Sequence, residues 1–244
     1  MKSTIIIANG DSPKKEIVIY LQKNGVESII AADGGANTAF KLGVVPNYII
    51  GDFDSIKPKV KKYFSDKSEI ICFVNQDDTD VEKALKFAIE KGYKTAYLLG
   101  GTGDRLDHSI GNLGIVLKYY NRIRVIIIHG KTILFPYSKE TNLITIPNET
   151  ISLYAFDDRT IINSEGLKYP LDNSTLKFGE RESTSNMATG NVVSLKITGG
   201  IIFVIRELKK MRKNGLIFKS WYNNCNIIFS HCRHSWIYSQ NEKQ

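Results

Sequence analysis

Short apolar blocks alternate with helix-period stretches through the first half of the chain. Thr4 to Ala8 reads as a strand, Pro13 to Gln22 as a short helix and Ser28 to Ala32 as a second strand. Ala36 to Leu42 then reads as a helix closed by Gly43, and Tyr48 to Ile50, Glu69 to Val74 and Thr95 to Leu99 as further strands. Strands separated by helices predict an α/β fold, a largely parallel sheet with flanking helices on both faces.

Two helices are more sharply specified. Thr79 has the chemistry of an N-cap and Glu82 stands at capping-box spacing from it. Val81, Ala84, Leu85, Ala88 and Ile89 then form one apolar stripe, ended by Gly92. The other helix follows GGTGDRLDH, Gly100 to His108, with Ile110, Leu113, Leu117 and Tyr120 as its predicted buried face.

After Tyr120 the pattern changes to short strands separated by turn residues: 122–128, 132–136, 143–146, 151–156, 159–162, 175–178, 192–197 and 201–205. The predicted organisation is an α/β domain over residues 1–120, an all-β sandwich over 121–206 and a peripheral extension over 207–244. The two domains are expected to pack tightly, because no linker separates them.

Charge changes this picture little. Of the net +8, +6 arises from Arg206 onward, where eight Lys or Arg face two acids, so the preceding 205 residues carry +2. Such a distribution describes a solvated basic end, and nucleic acid is not the expected partner. The longest apolar runs, such as Val125 to Ile128, fall far below the roughly 18 residues of a membrane span. The start Met1-Lys2-Ser3 leads straight into a strand pattern without an export signal, and a cytoplasmic location is expected. Three cysteines do not make a disulfide framework, and Cys72 reads as buried packing.

The chemistry lies in carboxylates that follow the apolar runs: Asp33 in ADGG, Asp52 and Asp54 in GDFD, and Asp77, Asp78 and Asp80 in DDTD. Side chains at the carboxyl ends of parallel strands converge on one crevice, and clustered carboxylates there call for a hard cation such as Mg2+. Helix capping accounts for one or two of the DDTD acids without a ligand. The loop Gly100 to His108 sits at a strand-to-helix junction, which gathers backbone N–H groups suited to phosphate. Arg105 adds a planar guanidinium, and Asp107 and His108 add groups that could act as base or organise a metal. No GxxxxGK[ST] is present, no GxGxxG follows the first strand, and His108 and His129 have no zinc-site spacing. Near the end, Cys225, His231, Cys232 and His234 fit no common zinc module.

ADGGAN at Ala32 to Asn37, GDFDSI at Gly51 to Ile56, QDDTDVEKAL at Gln76 to Leu85 and GGTGDRLDH occur in the order seen in thiamine pyrophosphokinases, and GLKYPL at Gly166 to Leu171 and STSN at Ser183 to Asn186 are similar to that family's thiamine-side elements. The resemblance spans about Ile5 to Ile205. It implies a homodimeric transferase that moves the terminal diphosphate of ATP as one unit to the thiamine hydroxyl, giving thiamine diphosphate and AMP. Asp33, Asp52, Asp54 and Asp80 match the acidic positions, with Asp52, Asp54 and Asp80 as the metal set for Mg2+. Arg105 would serve the phosphates, Asp80 or Asp107 the alcohol, and Ser185 and Asn186 the pyrimidine near the subunit interface. The same match extends the ligand-binding set to Gly34, Asn37, Asp77, Gly101, Thr102, Gly103 and His108. Two other classes stay open: phosphate transfer to a different alcohol, and a nonenzymatic nucleotide or nucleic-acid binder using the basic end. Trp221 is a candidate for stacking on thiamine.

Overall fold

The computed structural model describes residues 2–73, 77–103 and 105–208. The first part alternates strand and helix: β1 (Ser3–Ile7), α1 (Lys15–Lys23), β2 (Ser28–Ala32), α2 (Gly35–Leu42), β3 (Tyr48–Gly51), α3 (Pro58–Phe64), β4 (Glu69–Cys72), α4 (Asp80–Glu90), β5 (Thr95–Leu99), α5 (Leu106–Tyr119) and β6 (Arg124–His129); α3 was not expected, and β6, expected in the second domain, joins this sheet. The remainder is β7 (Thr132–Tyr137), β8 (Thr141–Ile144), β9 (Thr150–Ala155), β10 (Ile161–Glu165), β11 (Ser174–Thr175), β12 (Ser183–Met187), β13 (Val192–Thr198) and β14 (Ile202–Glu207).

Strands β6, β5, β1, β2, β3 and β4 lie side by side in that order and pair in parallel. Each strand sends alternate residues to opposite faces. Ile5, Ile7, Ile29 and Ile49 pack with Val18 and Leu21 of α1, Ala36 and Ala39 of α2, and Val60 and Phe64 of α3. Ile6, Ile30 and Ile50 pack with Ala84, Leu85 and Ala88 of α4 and Ile115 and Val116 of α5. The Ile-rich strands thus read as continuous apolar runs because both faces are covered.

The sheet does not stop at β6. A two-residue turn at Gly130-Lys131 reverses the chain into antiparallel β7, and β14, β9 and β12 extend the same sheet to ten strands. A second sheet, β11-β10-β13-β8, is antiparallel throughout. Its Leu143, Ile162 and Leu195 share one apolar core with Phe135, Ile151, Leu153 and Val204 of the long sheet, which makes the second part a β-sandwich. Inside it, Arg206 and Glu149, both 0% exposed, form a bidentate ion pair at 2.7 and 2.9 Å.

Three expectations are corrected. The buried face of α5 is Asn112, Ile115, Val116 and Tyr119, whereas Ile110 is 61% exposed. Both faces of this helix carry apolar residues, so periodicity does not choose between them; the polar contacts of Asn112 and Tyr119 set its rotation. Cys72 is exposed, because β4 is the edge of the sheet. The Thr79–Glu82 capping box is half formed: Thr79 Oγ1 accepts from the Glu82 N–H at 3.3 Å, but the Glu82 carboxylate turns to α5. The zinc, nucleic-acid and stacking assignments between Lys209 and Gln244 lie outside the described residues.

Candidate active site

In an open parallel sheet a ligand crevice forms where neighbouring strands send their connections in opposite directions. Here that point is β1/β5, since β1 leads to β2 on one side and β5 to β6 on the other. Pairing continues past both strand ends: the Ala8, Gly10 and Asp11 N–H groups donate to the Leu99, Gly100 and Thr102 carbonyls at 2.8, 2.8 and 2.9 Å. A Cβ at Gly10 would stand 2.5 Å from the Thr102 carbonyl oxygen, so only glycine permits this approach. Between these loops lies a cleft of about 460 Å³. Its volume falls in the range of small-ligand sites.

One wall is built for anions. Gly100, Gly101, Thr102 and Gly103 lead into α5, whose Arg105 N-cap makes no side-chain capping bond. A helix start of this kind presents N–H groups and the positive end of its dipole. Asn112, buried on α5, donates to the Gly101 carbonyl at 2.5 Å and so holds the loop to its helix. Thr102 Oγ1 is buried without a hydrogen-bond partner. Arg105 Nη2 donates to Asp107 Oδ2 at 2.6 Å, both side chains being about two-thirds exposed, and the guanidinium holds the Asp107 carboxyl below its ordinary range. His108 stands exposed at the rim.

The opposite wall is acidic: Asp52, Asp78 and Asp80 line it, and Asp33 and Asp54 stand beside Asp52 without lining the cleft. Asp33 follows β2 in a left-handed conformation, φ +39°, and is fully buried. Its Oδ2 accepts from the Ser55 N–H at 2.9 Å, while Oδ1 is buried without a partner. Burial pushes its carboxyl up to about 6. Asp33, Asp52 and Asp54 each bring a carboxylate oxygen within 4.8 Å of the others. Phe53 between the last two holds φ +70°, a costly conformation for an aromatic residue, about 1–3 kcal/mol. Three crowded carboxylates and an orphaned buried oxygen fit a hard divalent cation with oxygen ligands.

The predicted metal residue Asp80 is not in that trio. It opens α4, lines the cleft, and is joined to Asp52 through Lys83: the ammonium donates to Asp52 Oδ2 at 3.1 Å and to Asp80 Oδ1 at 3.2 Å. Lys83 is 4% exposed, and although burial opposes its charge, the two carboxylates outweigh that and raise its pKa. Lys83 in turn lowers the pKa of Asp52. Burial raises that of Asp80, against the pull of Lys83.

Sequence reasoning missed Lys83. The available signal was its i,i+3 spacing from Asp80, which puts both on one helical face. Asn9, which lines the cleft, and Asn112 were missed as well. Of the residues expected to bind ligand or metal, Gly34, Asp52, Asp80, Gly101, Thr102, Gly103, Arg105, Asp107 and His108 line the cleft, whereas Asp33, Asn37, Asp54 and Asp77 do not. Asn37 commits both ends of its amide to the next loop, donating to the Ser55 carbonyl at 2.9 Å and accepting from the Lys57 N–H at 3.0 Å. It shapes the acidic loop from behind.

Ser185 and Asn186 lie elsewhere. They belong to β12, at the far edge of the long sheet, five strand spacings or about 24 Å from β5. Asn186 is buried and clamps Tyr169, accepting from its N–H at 3.1 Å and donating to its carbonyl at 2.7 Å. The GLKYPL and STSN segments are therefore one structural unit. Ser185 is exposed at a bulge with φ +55°.

Fold and cleft together define an α/β protein with a glycine-loop cleft beside a carboxylate cluster able to hold a cation, and an attached β-sandwich. The sequence matches the family model described as thiamin pyrophosphokinase, catalytic domain, over residues 20–127, and that described as thiamin pyrophosphokinase, vitamin B1 binding domain, over residues 135–202. The chain belongs to the thiamin pyrophosphokinase family. It is 28% identical to the thiamine pyrophosphokinase of Bacillus subtilis over 219 residues, 85% of this chain and 99% of that one. Against thiamin pyrophosphokinase 1 of Caenorhabditis elegans it is 28% identical over 191 residues, 72% and 77% of the two chains. The solved Bacillus subtilis structure superposes with a TM-score of 0.71 at 26% identity, covering 84% of this chain and 99% of that one. The thiamin pyrophosphokinase structure from Candida albicans shares the fold, with a TM-score of 0.72 at 24% identity over 84% and 89% of the two chains. No helix among the described residues is long and apolar enough to cross a membrane.

Proposed function

We propose that this protein transfers the β,γ-diphosphate of ATP to the hydroxyl of thiamine, forming thiamine diphosphate and AMP. The observation that carries the reading is the cleft at the β1/β5 switch point, lined by a glycine loop and helix start and by Asp52, Asp80 and Lys83, with Asp52 shared with the carboxylate trio. Family membership supplies the substrate class.

The residues divide the work. N–H groups of the Gly100–Gly103 loop and the Arg105 guanidinium bind and orient the phosphates, with β-phosphorus exposed to the incoming alcohol. Asp33, Asp52 and Asp54 would hold Mg2+, and Asp80 beside them would complete its surroundings. A bound Mg2+ supplies charge neutralisation at the phosphate oxygens. Lys83 favours the ionised forms of Asp52 and Asp80 and brings a positive charge to the same wall. Asp80 or Asp107 accepts or orients the alcohol proton.

Thiamine recognition requires groups beyond the cleft. Ser185 and Asn186 are proposed to serve the pyrimidine, Ser185 directly and Asn186 by holding Tyr169. Because one chain separates β12 from the cleft by about 24 Å, the reading includes a homodimer in which the β12 edge of one copy approaches the cleft of the other. Incubation with ATP, Mg2+ and thiamine tests it: thiamine-dependent AMP is expected. ADP as product, or no AMP above background beside an active control enzyme, would reject diphosphate transfer.

A further inference from the structure

Glu82 departs from its local role. At capping-box spacing its carboxylate should return to the Thr79 N–H. Instead Oε1 accepts from Tyr119 Oη and from Lys118 Nζ, each at 2.6 Å, across to the last turn of α5. Glu82 is 7% exposed and Tyr119 4%, so this is a buried contact between helices. The next residue is Lys83, which holds Asp52 and Asp80 in the cleft. At its other end α5 holds the glycine loop through Asn112 and the Gly101 carbonyl. These contacts form a closed circuit around the cleft: loop, α5, Tyr119, Glu82, α4, Lys83 and the carboxylates.

We infer that Glu82, held by Tyr119 and Lys118, is a positioning residue that sets the spacing between the phosphate wall and the carboxylate wall. A helix turn freed to rotate moves Lys83 and Asp80 together, and displacement of reacting groups by about 1 Å costs up to about 100-fold in rate. The inference rests on the proposed diphosphate transfer. Thiamine-dependent AMP release by the parent protein is therefore measured first, and its absence defeats that reading rather than the tether.

With parent activity established, Glu82→Gln, Glu82→Asp and Tyr119→Phe are compared by steady-state kinetics and thermal unfolding. Both Glu82 variants are expected to lose about tenfold or more in kcat, with KM for ATP changing less than about threefold. Asp retains the charge but shortens the reach, so its loss separates geometry from charge. Glu82→Asp combined with Tyr119→Phe should be no slower than Glu82→Asp alone, because the shortened carboxylate no longer reaches Tyr119 Oη, whereas the amide oxygen of Gln still accepts from it. Parent kcat in folded Glu82→Gln and Glu82→Asp, with only the unfolding temperature lowered, would make the tether purely structural and overturn the inference. A double variant whose kcat losses multiply would overturn it also.

Discussion

Lys83→Met removes the ammonium between Asp52 and Asp80 while keeping the length of the side chain. At 3.1 and 3.2 Å each contact carries roughly 5 kcal/mol of bare attraction at an effective dielectric of about 20. The Asp52 and Asp80 side chains are 26% and 35% exposed, and desolvation of Lys83 opposes the gain, so about 1–3 kcal/mol per contact is the appropriate net scale. Two effects of opposite sign follow. The more negative pocket should bind Mn2+ about tenfold more tightly in nucleotide-free protein, which paramagnetic resonance reads directly, while KM for ATP rises by a similar factor. Asp80, already raised by burial, loses its nearest cation, so the acid limb of the activity profile moves to higher pH. Lys83→Arg, keeping the charge, should fall between. Parent Mn2+ affinity, parent KM for ATP and an unmoved acid limb in Lys83→Met would refute the assigned electrostatics.

Asp33 offers a test by linkage. Its folded pKa, about 6 against 3.8 for the free acid, means that the folded protein takes up a proton; its contribution is greatest below about 3.8 and is lost as pH rises through about 6. In EDTA, Asp33→Asn should therefore gain up to about 3 kcal/mol relative to the parent between pH 4 and 7; urea unfolding with no pH-dependent difference would disprove the shift. In the sandwich, Glu149→Gln leaves the fully buried Arg206 charge without its partner, and Arg206 Nη1 is already unpaired. A loss of about 3–5 kcal/mol is expected, with kcat of the remaining folded protein unchanged; a loss under about 1 kcal/mol would mean that water reaches the guanidinium.

The parallel core was legible because its strands are buried on both faces and so stand out as Ile-rich runs between helix-period stretches. Asp33 and Asp52 were legible because each directly follows a strand. What periodicity could not decide was rotation and continuation. Either face of α5 satisfies a helical repeat, and the choice falls to Asn112 meeting the Gly101 carbonyl and Tyr119 meeting Glu82, contacts 11 and 37 residues apart in sequence. Likewise no local signal announces that β7 continues the parallel sheet, since a hairpin turn reads the same whether its second strand joins an old sheet or starts a new one. Ser183 to Asn186 was read only as a family motif, with no strand assigned to it, yet Ser183 and Asn186 pair with β9.

The cation site shows the same division at the scale of single side chains. Type and position in the chain pointed to six carboxylates, and the family resemblance selected Asp52, Asp54 and Asp80 from them as one metal set. The fold separates them by what stands between: Asp33 completes a trio with Asp52 and Asp54, while Lys83 intervenes before Asp80. A buried ammonium shared by two carboxylates does not exclude a cation from their neighbourhood; it lowers the repulsion that would otherwise raise both acids. On the proposed function, four carboxylates and a polyanionic nucleotide share this neighbourhood, and Lys83 makes its net charge smaller than its count of acids. Under that proposal Lys83, on the first turn of α4, is the residue at which nucleotide affinity and cation affinity are expected to be coupled.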